Sequence, residues 1–96
     1  MSARTWHLVC YDVRDDRRLR QVARLLEGWG ERLQYSVFRC RLTSREEARL
    51  HWELTRLVAK EDSWLIVPVC NVCVRRLMRR NGVTDWPEDP PTYAIV

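Results

Sequence analysis

The segment Thr5-Trp6-His7-Leu8-Val9-Cys10-Tyr11 constrains this chain more than any other. In a strand, alternation sends Trp6, Leu8 and Cys10 to one face and His7, Val9 and Tyr11 to the other, and both sets are substantially apolar. Such a strand has to be covered on two sides. A chain of 96 residues with 46% hydrophobic content has material for one compact domain, 1–96, and little for a second. The expectation is that helices of the same chain cover one face and a second copy, related by a two-fold axis, covers the other.

The remaining elements follow from local patterns. Asp15 or Asp16 caps a helix running to about Gly28, with Leu19, Val22, Ala23 and Leu26 on one face and Arg17, Arg20, Gln21 and Arg24 on the other. Gly28 and Gly30, flanking Trp29, are read as the stop, because glycine accepts the left-handed geometry that ends helices. Glu31 to Leu42 is a second β region whose alternation breaks around Gln34-Tyr35-Ser36; one bulged strand and two short strands with a tight corner both fit. Ser44-Arg45-Glu46-Glu47 reads as a capping box opening a helix to about Lys60, with Leu50, Leu54, Leu57 and Val58 inward and Trp52 at the border. Ser63 to Val69 reads as a strand that ends or lies at an edge near Pro68. Val74, Leu77 and Met78 suit a short helix ending at Asn81-Gly82. Trp86-Pro87-Glu88-Asp89-Pro90-Pro91 is extended, and Thr92 to Val96 reads as a last strand. The arm over 83–96 is expected to pair at a sheet edge of the dimer. With the second β region as a hairpin, the order is βαββαβ. That is an α+β, ferredoxin-like fold: an antiparallel sheet, two helices on one face, and an extra C-terminal strand.

Asp12 sits where the first strand hands over to a basic helix. A carboxylate at a strand mouth, facing cationic side chains, can hold a divalent cation against a phosphate, since Mg²⁺ takes a few protein oxygens plus water and substrate oxygens. Of the 17 basic residues only Lys60 is lysine, and the net charge is +4. Arginine grips phosphate through two points. The arginines cluster at Arg14, Arg17, Arg18, Arg20 and Arg24, and again at Arg75, Arg76, Arg79 and Arg80. Asp15 and Asp16 are more simply caps, and Trp6, Trp29, Trp52 and Trp64 are read as core or interface anchors. No run approaches the roughly 20 apolar residues of a membrane span. Met1-Ser2-Ala3-Arg4 opens into a strand pattern without a signal-peptide core, so the expected location is the cytoplasm.

Cys10 and Cys40 fall in strand-like runs, where a thiol behaves as a small hydrophobe. Cys70-Asn71-Val72-Cys73 has a ligand-like spacing, but a structural zinc site wants four ligands and no second pair exists, so zinc is not expected.

Tyr11-Asp12-Val13, Arg17-Arg18-Leu19-Arg20-Gln21-Val22, Gln34-Tyr35-Ser36-Val37-Phe38, Val67-Pro68-Val69-Cys70 and Tyr93-Ala94-Ile95-Val96 together resemble the CRISPR-associated protein two family. The resemblance covers nearly the whole chain. It implies a small dimeric protein of spacer acquisition that bridges dimers of the CRISPR-associated integrase along duplex DNA. Many members are also metal-dependent nucleases acting on RNA or double-stranded DNA. Residue by residue, it implies that Asp12 is the catalytic residue and the ligand of Mg²⁺, or of Mn²⁺, facing its copy across the dimer axis. Ser36 and Phe38 are then close to the site or at the subunit contact, with Tyr11 beside them, and Arg14, Arg17 and Arg18 hold nucleic acid. Arg75 and Arg76 join that set on charge alone.

Two carboxylates facing each other repel, and a cation between them relieves the repulsion. No histidine or lysine is placed by sequence as a general base, so the expected nucleophile is metal-activated water. A non-catalytic DNA scaffold is the alternative. A general RNA-binding domain is disfavoured, because the paired exposed aromatics of an RNA-reading sheet are not evident.

Overall fold

The computed structural model describes residues 3–77. Its elements are β1 (Thr5–Asp12), α1 (Asp16–Glu27), β2 (Gly30–Gln34), β3 (Val37–Leu42), α2 (Ser44–Leu57), β4 (Ser63–Val69) and α3 (Asn71–Arg76). The strands form one antiparallel sheet in the order β2-β3-β1-β4, the ferredoxin-like arrangement expected from the βαββαβ order. The 83–96 arm, the strand over 92–96 and the stretch from Met78 to Gly82 lie outside the described residues.

β1 pairs with both β3 and β4, which suits its two apolar faces. Val9 and Tyr11 join Phe38, Cys40 and Leu42 of β3 on the face under the helices. There they meet Val22 and Leu26 of α1 and Leu50 and Leu54 of α2, all buried. Trp64 and Ile66 of β4 pack against the same core. Each buried leucine in this cluster contributes about 2 kcal/mol by removing its side chain from water. Leu8 and Cys10 point to the opposite face with Val37, Leu65 and Val67, and Leu65 and Val67 are 51% and 42% exposed. Trp6 shares that side but is buried, with the guanidinium groups of Arg39 and Arg41 at 4.8 and 5.3 Å from its ring. Pro68 lies in β4, which is hydrogen-bonded on one side only and so spares the amide that proline lacks.

Several boundaries differ from the sequence reading, each for a local reason. The hairpin is real, with Gln34 and Val37 in register around a Tyr35-Ser36 turn, and it carries an irregularity between Arg32 and Gln34 as well. Both features left open by the sequence are therefore present. Gly28 does not adopt a left-handed conformation: its φ and ψ are −76° and −15°. α1 ends instead by tightening, as the amides of Gly28 and Trp29 donate to Leu25 and Leu26 carbonyls at 3.1 and 2.9 Å. Gly30 is required for proximity, because a Cβ there would overlap the Arg39 carbonyl and lie 2.8 Å from Cys40 Sγ.

The cap of α2 is Thr43 rather than Ser44. Thr43 Oγ1 accepts from the Glu46 amide at 3.1 Å, and Glu46 accepts from the Thr43 amide at 2.9 Å. Glu46 also receives Arg4 Nε and Nη2 at 3.1 and 2.9 Å, which locks this frame one residue ahead of the alternative. α2 stops at Leu57, short of Lys60, because Val58 turns extended and the Ala59 amide donates to Asp62. Trp52, expected as an anchor at the border of the core, is 57% exposed and stacks under Arg56 at 4.7 Å.

Candidate metal and nucleic-acid site

β1 carries Asp12 to the end of the sheet where α1 begins. Its backbone lies opposite Ser63 of β4, and its side chain is 63% exposed. The carboxylate is 3.3 Å from Arg14 Nη2, itself well exposed. Alternation puts Tyr11 on the other face, buried under the helices, where its hydroxyl donates to the Tyr35 carbonyl at 3.3 Å. The Tyr11 amide donates to the Ser36 carbonyl at 3.2 Å. The turn between β2 and β3 is thus tied twice to the residue preceding Asp12, which brings Ser36 to this end of the sheet. Phe38 is different: it is 0% exposed and packs with its ring 6.2 Å from that of Tyr11. Of the two places the resemblance allows Phe38, near the site or at the subunit contact, its buried ring beside Tyr11 fits the first, as part of the core.

The organising residue of this end is Asp62, which sequence reasoning missed. Its side chain is fully shielded and accepts from the amides of Arg14 and Ala59 at 2.9 Å each and from Arg18 Nε at 2.8 Å. The Arg18 hydrogen bond, followed by those of the Ala59 and Arg14 amides, holds the Asp62 carboxyl well below the usual carboxylate range. Arg18 Nη2 also reaches Glu61 at 3.1 Å. Arg18, expected to bind nucleic acid, is therefore clamped within the fold, and its guanidinium braces α1 against the entry to β4. The only sequence signal was an acidic pair, Glu61-Asp62, ahead of a strand, and many turns share it.

Arg14 remains exposed beside Asp12, and Arg17, Arg20 and Arg24 lie exposed along α1. Arg75 and Arg76 lie in the last turn of α3, which follows the far end of β4, where Val69 pairs with Trp6 rather than with Asp12. Arg14 thus sits toward one end of the sheet, and Arg75 and Arg76 toward the other.

Among the described residues, no group of three or more histidine, cysteine or acidic side chains could hold a metal ion. What Asp12 offers is one accessible carboxylate. That suits a hydrated hard cation whose other oxygens come from water, a phosphate or a second copy, and it does not suit a closed protein cage. No helix among the described residues is long and apolar enough to cross a membrane.

Residues 5–77 match the protein family described as CRISPR associated protein Cas2. A CRISPR-associated endoribonuclease Cas2 of Thermus thermophilus is 50% identical over 60 residues, 62% of this chain and 64% of that one. The match thus spans less than two thirds of that relative's length. A CRISPR-associated endoribonuclease Cas2 of Synechocystis is 36% identical over 87 residues, covering 90% of this chain and 88% of the relative. Among solved structures, Streptococcus pyogenes Cas2 superposes with a TM-score of 0.71 at 32% identity, over 79% of this chain and 99% of that one.

Proposed function

Because the chain belongs to the CRISPR-associated Cas2 family, we propose that it is a homodimeric endonuclease of CRISPR adaptation, cleaving phosphodiester bonds in RNA or double-stranded DNA with a divalent cation at Asp12. The observation that carries this reading is the exposed Asp12 carboxylate at the mouth of β1, 3.3 Å from the Arg14 guanidinium. An acid held beside a cationic fork presents both halves of a phosphate site: oxygen ligands for a metal, and donors for the phosphate oxygens. Relatives named as endoribonucleases support the nuclease assignment.

The chain's own residues divide the work. Arg14 and Arg17 bind backbone phosphates. Asp62 holds the Arg14 amide, and so sets the path of the loop from Asp12 to α1. The ties from Tyr11 to Tyr35 and Ser36 keep the end of β1 from fraying where Asp12 must hold its position. Asp12, with its copy from a second subunit, would hold Mg²⁺ or Mn²⁺; such an ion, when bound, offsets charge on the scissile phosphate and supplies a nucleophile at neutral pH. The partners in this reading are a second copy, the nucleic acid and the CRISPR-associated integrase.

A second reading is favoured by the sparse ligand set. With one carboxylate beside Arg14 and an arginine-rich outer surface on α1, the site also serves a non-catalytic scaffold that grips duplex DNA between integrase dimers. Asp12→Asn separates the two. The nuclease reading expects metal-dependent cleavage of RNA and duplex DNA to fall to background while the dimer and its duplex binding persist. Equal cleavage by wild type and Asp12→Asn sinks the enzyme and leaves the scaffold.

A further inference from the structure

α3 begins directly after β4, and its first turn brings the two thiols of Cys70-Asn71-Val72-Cys73 together at 3.4 Å. Cys70 is the N-cap of this turn, and its sulfur accepts from the Cys73 amide at 3.5 Å. Both side chains are exposed. We propose that Cys70 and Cys73 form a dithiol exchange site that takes low-molecular-weight disulfides and closes to an internal disulfide.

Three observations support the assignment, and they distinguish this pair from the chain's other cysteines. The spacing of one helical turn lets both sulfurs reach a common point with small rotations, whereas Cys10 and Cys40 sit in the sheet and point to opposite faces. The thiols also differ in acidity. The Cys73 amide pulls the Cys70 thiol below its ordinary value, while the hydrogen bond with Cys70, and then its charge, push Cys73 up. Burial drives Cys40 up to about 11 and raises Cys10. An attacking thiolate therefore forms first at Cys70. Finally, a groove of about 580 Å³ lined by Arg4, Thr5, Trp6, Pro68, Val69 and Cys70 itself gives the organic part of a small disulfide room to lie.

The exchange balances as two displacements. Cys70 thiolate attacks one sulfur of the incoming disulfide, forming a mixed disulfide and releasing one thiolate. Cys73, losing its proton, then attacks Cys70 Sγ, forming the internal bond and releasing the second thiolate. The protein gives up two electrons and two protons, and the small disulfide leaves as two thiols. The closed bond covalently pins the first turn of α3.

The test uses the full chain with oxidised glutathione at neutral pH, read by intact mass and thiol counting. Wild type is expected to lose the Cys70 and Cys73 thiols, to become lighter by two hydrogens, and to keep no glutathione. Cys73→Ser is expected to stop with one glutathione on Cys70. Cys70→Ser is expected to react about tenfold more slowly, or slower still, than Cys73→Ser. A glutathione adduct retained by wild type, a bond to Cys10 or between chains, or equal rates for the two variants would each overturn the proposal.

Discussion

At the scale of single residues, Asp62 decides more of the local geometry than Asp12 does, although the proposed chemistry falls to Asp12. It satisfies two backbone amides and one guanidinium from three separate segments, so its removal would strand three donors at once. Its carboxyl is lowered in the folded chain, so the unfolded chain takes up a proton first as acid is added. Its stabilisation is therefore complete above the unfolded carboxyl's value, near pH 4, and is lost as pH falls from there toward the folded value. Asp62→Asn is expected to lower the thermal midpoint at pH 7 by roughly 5 °C or more. The gap to wild type should narrow steadily below about pH 4 in melts followed by circular dichroism. Glu46, lowered chiefly by its hydrogen bond from Arg4, adds acid sensitivity of the same sign, which is why the difference between the two proteins is the quantity to follow. A gap that stays constant into acid would remove Asp62 from the role given to it.

At the scale of elements, the cap of α2 shows how two plausible sequence frames are resolved. Thr43-x-x-Glu46 and Ser44-x-x-Glu47 both satisfy the capping-box pattern, and only the first is formed. Glu46 serves the cap and the Arg4 pair together, while Glu47 turns toward His7, with an Oε2 to Nε2 distance of 3.6 Å. Thr43→Ala should therefore cost about 1 kcal/mol in urea unfolding, whereas Ser44→Ala should stay within about 0.5 kcal/mol of wild type. The reverse ranking would restore the Ser44 frame. The same lesson holds at Gly30, where the glycine is demanded by the approach of β3 rather than by the end of α1.

At the scale of the whole molecule, the governing fact is an asymmetric sheet. One face is roofed by α1 and α2; the other shows Leu65 and Val67 at half exposure beside Leu8, Cys10 and Val37. Under the proposed function this apolar sheet face is where a second copy of the chain docks. Leu65→Glu combined with Val67→Glu should halve the mass measured by sedimentation while leaving the circular dichroism spectrum native. An unchanged mass would rule out this face as the subunit contact. The duplex binding expected under the proposed function belongs to the same scale. Its log affinity should fall with log salt at a slope of about 0.9 per neutralised phosphate, and Arg14→Ala with Arg17→Ala should flatten that slope. Binding indifferent to salt would contradict phosphate contact by this flank.

The sequence by itself determined the alternation of β regions and helices over residues 5–77, the two apolar faces of β1 and the placement of Asp12 at a strand mouth. Those features depend on apolar periodicity and neighbouring residue types, and they survive any detail of packing. Which cap frame of α2 formed and which arginine became structural were decided by tertiary structure. Each depends on a donor meeting an acceptor distant in the chain, as Arg18 meets Asp62 and Arg4 meets Glu46. The thiol pair lies between the two kinds: the spacing of Cys70 and Cys73 was visible in the sequence, but only a helical turn beginning at Cys70, a local feature of the backbone, brings one sulfur onto the other.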